Sequence, residues 1–359
     1  MHISARVFLI AAVPLFGGYT VVPIPAPTGT TIVGLSSIND SGQVVGYVGS
    51  VAIGFIGSPS GSVVIPPPPG WSILSLTGLN NSGQITGALF NSNLSLSQVF
   101  IGTSSSATAI PVLPGWTYSY GWAVNDNGQV AGSGGISFFS SRQAFVGTSS
   151  GVTLIPLPAG WTSSSGNVIN RNGQVAGWVK NVTTYGVFVG TTAGSSVIPT
   201  PAGWINLNAT GINDSGQVVG TGGIGANVQA FFYNGSTSIP IPLPQGAANS
   251  YTSGYQSVLN NSGTVVGSSD AGGWIWSSTL GTVLLNTQVP AGWNVLDAYG
   301  INNAGVIAAQ VTFKGGPLQY VELVPAVPTT PAPSTLTLVV IAASGVAIWA
   351  AFRSTRKPI

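Results

Sequence analysis

Residues 38–46 read Ile38-Asn39-Asp40-Ser41-Gly42-Gln43-Val44-Val45-Gly46, and variants of this phrase return six more times along the chain. Its leading Asn falls at Asn39, Asn80, Asn125, Asn170, Asn213, Asn260 and Asn302, at intervals of 41, 45, 45, 43, 47 and 42 residues. A period of this size means a repeat architecture, whose fold is read from one unit. Inside the phrase, an aliphatic residue leads into an Asn/Asp/Ser turn, then a Gly able to take φ > 0, then a Val- or Ile-containing run. That order describes a β-hairpin closed by a type I turn with a left-handed Gly. Gly42, Gly83, Gly128, Gly173, Gly216, Gly263 and Gly305 hold the position in all seven units and are expected to be structural.

Two further elements accompany each hairpin. Short aromatic runs follow it, as in GFIG from Gly54, AFVG from Ala144, AFFY from Ala230 and YVEL from Tyr320; these read as strands. Proline-rich runs come next, as in IPPPPGW from Ile65, IPLPAGW from Ile155 and IPTPAGW from Ile198. Proline cannot donate to a ladder, so this element is expected on a sheet edge. Four short strands per unit is the arithmetic of a propeller blade. The chain therefore reads as an all-β, seven-bladed β-propeller, with a β-solenoid as the alternative.

Order along the chain favours the ring. Val21 to Pro27 is a Pro-rich strand with no hairpin before it, whereas the last unit stops at its aromatic strand near Leu323. The first strand is thus expected to complete the seventh blade, which a solenoid would not need.

The repeats resemble the HAF family of extracellular repeats, whose units pair an Ile-Asn-Asp-x-Gly-Gln-Val-Val-Gly phrase with a downstream Ala-Phe strand. Asn39 to Gly46 and Asn213 to Gly220 match the first half, and Ala144-Phe145 and Ala230-Phe231 the second. The likeness covers residues 30–323. It implies an extracellular location and a binding or structural role; it does not imply an activity.

The two ends read differently from the body. Residues 1–18 carry one early cation and the apolar run Val7 to Phe16, the layout of a signal peptide. The propeller is assigned to residues 19–324 and a Pro-rich linker to 325–335. Residues 336–352 are free of charge and Arg353, Arg356 and Lys357 follow, which predicts a transmembrane helix of about 26 Å with a basic cytoplasmic tail at 353–359. Pro331, Ala332, Pro333 and Ser334 before that helix resemble the PEP-CTERM sorting signal, with Ala332 where the family has Glu. The resemblance implies an exosortase-type membrane enzyme as processing partner, in a setting of exopolysaccharide or biofilm.

Composition removes several function classes. Only 4% of the 359 residues are charged, and cysteine is absent, so disulfides, thiolate metal sites and Cys nucleophiles are excluded. The one histidine is His2, inside the expected signal, which leaves the body without a His base or ligand. Between the terminal segments Arg142, Arg171, Lys180 and Lys314 face six acids; there is no basic track for nucleic acid. Asp40, Asp126 and Asp214 recur at one turn position and are expected to serve local Asx turns. No segment has the clustered acids of a calcium loop, so no cofactor or metal is expected.

Trp71, Trp116, Trp161, Trp204 and Trp293 each follow a Pro-Gly or Pro-x-Gly turn. They suit either packing between blades or stacking on sugar rings. The sequence therefore predicts a non-enzymatic, exported surface or matrix propeller, anchored in the membrane before processing. A carbohydrate-binding propeller using these Trp is the alternative, and a glycoside-acting enzyme the weaker one.

Overall fold

The Asn turns form as the sequence predicts. In a computed structural model describing residues 18–49, 53–136, 142–252 and 255–326, Gly42 N donates to Asn39 O at 3.1 Å and Asn39 N to Gln43 O at 2.9 Å. The seven turn glycines lie at φ between 72° and 80°, the left-handed region that any Cβ would strain.

Each turn joins two antiparallel strands, and two more strands complete a sheet. The first repeat unit contains β2 (Ile32–Ile38), β3 (Val44–Val48), β4 (Ile53–Ser58) and β5 (Gly61–Val64), paired in that order; the preceding β1 (Tyr19–Pro23) belongs elsewhere. The second and third units supply β6 (Ile73–Leu79), β7 (Ile85–Phe90), β8 (Ser97–Gly102) and β9 (Ala107–Ala109), then β10 (Tyr118–Val124), β11 (Val130–Gly135), β12 (Gln143–Thr148) and β13 (Gly151–Leu154). The fourth and fifth give β14 (Ser163–Ile169), β15 (Val175–Lys180), β16 (Tyr185–Thr191) and β17 (Gly194–Val197), then β18 (Ile205–Ile212), β19 (Val218–Ile224), β20 (Asn227–Tyr233) and β21 (Ser238–Pro240). The sixth is β22 (Ser250–Tyr251), β23 (Val265–Ser269), β24 (Trp274–Ser277) and β25 (Gly281–Leu284); the seventh is β26 (Trp293–Ile301), β27 (Ile307–Phe313) and β28 (Gln319–Pro325).

The last sheet borrows its fourth strand from the other end of the chain. β1 pairs antiparallel with β28, from Tyr19 opposite Pro325 to Pro23 opposite Val321. The turn-entering strands lie innermost, with their Asn turns in mutual contact, so the sheets radiate from one axis as blades. The fold is an all-β propeller. Its closure through β1 removes the solenoid alternative.

Two expectations are corrected. Five sheets are separate four-stranded blades, but the second and third repeat units share one eight-stranded sheet, in place of the seven separate blades predicted. The joint is a single parallel pair, Tyr118 with Ser97, reinforced by Val99 N donating to Ser119 Oγ at 2.9 Å. Nor is the outer strand the proline run itself in most units, although β21 ends on Pro240 and β1 on Pro23. In the first unit it is β5, just before that run, and the ladder gains one last bond from Ile65 N to Gly54 O at 2.9 Å before Pro66 ends it for want of an N–H. Ile65, Ile110 and Ile155 are buried at this point, and the prolines then carry the chain to the next unit.

The core lies between blades and follows one size rule. Phe55, Phe100, Phe145, Phe188, Phe231 and Trp274 are all fully buried on third strands, each opposite the final Gly of the repeated phrase, as Phe145 is to Gly132. A Cβ on Gly132 would lie 2.4 Å from the Phe145 ring and 2.3 Å from the Tyr120 carbonyl, contacts no methyl can make. In the seventh unit Ala309 replaces Gly, and its partner shrinks to Val321.

The signal segment, the sorting motif Pro331 to Ser334, the helix expected at 336–352 and the basic tail lie outside the described residues, apart from Gly18. Among the described residues no helix is long and apolar enough to cross a membrane.

Candidate functional site

The leading Asn of every phrase is nearly fully buried, Asn39 at 3% and Asn260 at 6% exposure, so all four of its hydrogen-bonding capacities need partners. In the first unit Asn39 Oδ1 accepts from Ser41 N at 3.1 Å and Gln43 N at 2.9 Å. Its Nδ2 donates to Gln43 Oε1 at 2.9 Å and to Asn80 O, in the next unit, at 3.0 Å. This is why Gln follows the turn Gly in five phrases. The inter-unit bond repeats from Asn80 to Asn125, Asn170, Asn213, Asn260 and Asn302, and Asn302 returns to Asn39, at 2.8 to 3.2 Å throughout. Seven turns thus make one closed circuit.

A second circuit lies outside the first, built by the residue after each Asn. Asp40 N donates to Asn81 Oδ1, Asn81 N to Asp126 Oδ1, Arg171 N to Asp214 Oδ1, Asp214 N to Asn261 Oδ1, Asn261 N to Asn303 Oδ1 and Asn303 N to Asp40 Oδ1, at 2.8 to 3.0 Å. The expected role of these acids is therefore corrected. The Asn caps its own turn, while each Asp accepts from the neighbouring unit. The circuit breaks where Arg171, lacking an acceptor, follows Asp126, and there Arg171 Nη2 reaches back to Asp126 Oδ2 at 3.0 Å. Partial burial alone would raise the Asp126 carboxyl, but bonds from Asn81 and Arg171 outweigh it and hold the group below the usual range.

The two circuits surround a shallow cavity of ≈ 120 Å³ whose lining includes Gln256 and Ser257. These two residues belong to the sixth unit, where the inner strand is only Ser250–Tyr251. That unit's Tyr255, Gln256 and Ser257 lie across the axis, against strands of the first three units. Gln256 Oε1 accepts from Val124 N at 3.1 Å, and its Nε2 donates to Val124 O at 2.8 Å and Leu79 O at 3.3 Å. Ser257 Oγ accepts from Ile38 N at 3.1 Å, and Tyr255 N donates to Ser36 O at 3.2 Å. The Tyr255 ring stacks on Trp122 at 5.9 Å, and Trp122 on Tyr120 at 4.2 Å. Burial pushes the Tyr120 phenol well above its ordinary value, and Tyr255 upward as well. The hub is plugged by this crossing segment. The sequence reading missed it; the longest interval, from Asn213 to Asn260, was its signal.

The five predicted Trp are spread around the ring, one at each of five connections between units, and are not gathered into one site. Each closes its turn through its backbone N–H, as Trp161 does to Pro158 O at 3.2 Å. Trp204 is buried and meets Phe231 edge-on at 6.2 Å. Trp116 lies against Phe145, Trp293 against Phe313, and Trp71 and Trp161 are half-buried against core clusters. Among the described residues no cluster of three or more acids or histidines could hold a metal.

No protein-family model and no curated protein matches the chain. Among solved structures, the acylaminoacyl peptidase of Pyrococcus horikoshii is similar at a TM-score of 0.50 and 7% identity, over 79% of this chain and 50% of its own. TolB from Acinetobacter baumannii gives 0.40 and 12%, over 67% and 64%, and YCF48 bound to a D1 peptide gives 0.41 and 10%, over 75% and 96%. The chain thus spans 64% of that TolB and half of that peptidase. At these identities the likeness is one of fold alone, and the class, an all-β propeller, rests on the strand topology and its closure.

Proposed function

We propose that the protein is an exported, non-enzymatic surface or matrix propeller that binds polysaccharide or protein partners. The observation that carries this reading is the closed Asn circuit, flanked by a second that is broken only between Asp126 and Arg171, around a plugged hub. Its polar groups are spent on one another, which makes a rigid scaffold in which the hub's described carboxylates serve as structural acceptors. The sevenfold Asn circuit supports counting the eight-stranded sheet as two blades, for seven in all. The HAF-like phrase, the residue 1–18 segment and the PEP-CTERM-like end support export, exosortase processing and anchoring through 336–352.

A glycosidase needs two carboxyls of separated pKa in an open cleft. Asp126 is held low by its donors, and the raised carboxyl, Glu322, is buried in a blade seam. Binding rather than turnover is the reading this favours.

Cell fractionation with intact-mass analysis tests it. The expected product sits at the surface or in the medium, lacks the first 18 residues, and is cut near Pro333-Ser334 or retained by its helix. A full-length chain with Met1 intact in the cytoplasmic fraction would overturn the reading.

A further inference from the structure

The described body has four cations, and two of them meet two aromatic side chains at one seam. Arg142 stands just before β12, where its backbone N–H donates to Ser163 Oγ of the neighbouring blade at 3.0 Å. Its guanidinium lies over the Trp178 ring at 4.8 Å. Trp178 meets Tyr185 edge-on at 5.9 Å, and Lys180 Nζ lies over Tyr185 at 5.1 Å. The strand register explains the grouping: Trp178 and Lys180 share one face of β15, and Lys180 pairs directly with Tyr185 across the ladder. Tyr185 is 38% exposed, and Val182, at the tip of the adjoining turn, is 92% exposed.

We propose that this strip binds a carboxylated polysaccharide, an inference that rests on the polysaccharide-binding reading above and names its ligand class and its site. Elsewhere the body is poor in cations and mildly acidic, so an anionic chain would be attracted here and not to the Asp-bearing turn face. The rings hold the two cations in place, which lowers the conformational entropy lost on engagement. A uronate polymer fits the strip: carboxylates for Lys180 and the charge of Arg142 beside it, C–H faces for the Tyr185 edge and Val182, and hydroxyl donors for the Thr183 and Thr184 oxygens, whose own protons go to Asn181 Oδ1. The site differs from the five Trp turns, whose rings pack inward.

Affinity electrophoresis of the full-length protein tests the proposal, with polygalacturonate, neutral dextran or polyglutamate in the gel. Polygalacturonate alone is expected to retard it, less so as salt rises. Lys180→Gln combined with Tyr185→Ser, both exposed positions, is expected to weaken retention at least tenfold with the melting temperature kept. Lys314→Gln removes the same charge elsewhere and is expected to leave retention unchanged. Three results would overturn the inference: no retardation by polygalacturonate, equal retardation by dextran or polyglutamate, or equal loss in Lys314→Gln. The export reading is judged separately, by fractionation, and survives any of them.

Discussion

Asn302 donates its side-chain amide to the backbone carbonyl of Asn39 at 3.0 Å, across 263 residues of sequence. This bond closes the Asn circuit at the seam where β1 closes the last blade, so the two ends of the fold are joined at the hub and at the rim.

Replacing one Asn should reach beyond its own turn. Asn125→Ala removes bonds to Asn170 O, Gln129 Oε1, Gln129 N and Asn127 N and strands buried groups. We expect a loss of about 2–4 kcal/mol in urea unfolding. Asn125→Asp turns an acceptor toward the Asn170 carbonyl, so its loss should be greater at pH 8 than at pH 4. Equal losses at both pH values would contradict the assigned donor.

Glu322 makes the closing seam pH-dependent. It is 6% exposed, its Oε1 has no partner, and burial pushes its carboxyl from 4.5 up to about 7. The folded chain therefore keeps a proton that the unfolded chain releases. The stabilisation is full below the unfolded value and is lost as pH rises from about 4.5 to about 7. Unfolding free energies from urea titrations at pH 5 and pH 8 should differ by on the order of 2 kcal/mol in the wild type and by much less in Glu322→Gln.

Trp204→Ala removes a buried ring and leaves a cavity beside Phe231 and Leu207. We expect a loss of about 3–5 kcal/mol, read as a lower Tm. On a glycan array the variant should behave as the parent does. Binding by the parent that vanishes in a folded Trp204→Ala protein would restore the Trp turns as sugar sites.

The plug can be read by hydrogen exchange. Val124 N donates to Gln256 Oε1, so in Gln256→Ala the Val124 amide should exchange at least tenfold faster, while Val130, in the ladder opposite, changes little. Unaltered exchange at Val124 would mean that the crossing segment does not close the hub.

The repeated turns and the chain closure were legible because both are local: Asn39 to Gly46 states its own hairpin, and the missing partners at the two ends state each other. Other features depend on neighbours that no single unit reveals. The Gln of the phrase looks like an ordinary solvent-facing amide until Asn39 needs its Oε1. Asp126 looks like a turn residue until Asn81 is placed beside it. Glu322 was visible as the odd member of a column otherwise filled by Ile56, Ile101, Val146, Val189, Phe232 and Ile275, but its burial was not. The plug escaped because Tyr255 to Ser257 resembles any polar turn, and the strands it bridges at Ile38, Leu79 and Val124 are more than 100 residues away.

The position of β28 between β27 and β1 gives the ring a mechanical directionality. A pull on the chain beyond Pro325 against a held body runs along β28 and shears two ladders at once, so many bonds must fail together. A pull on both ends acts at the Tyr19–Pro325 pair and opens the β1 ladder one bond at a time. The same closure is tough under tension from one end and yields like a zipper under tension from both.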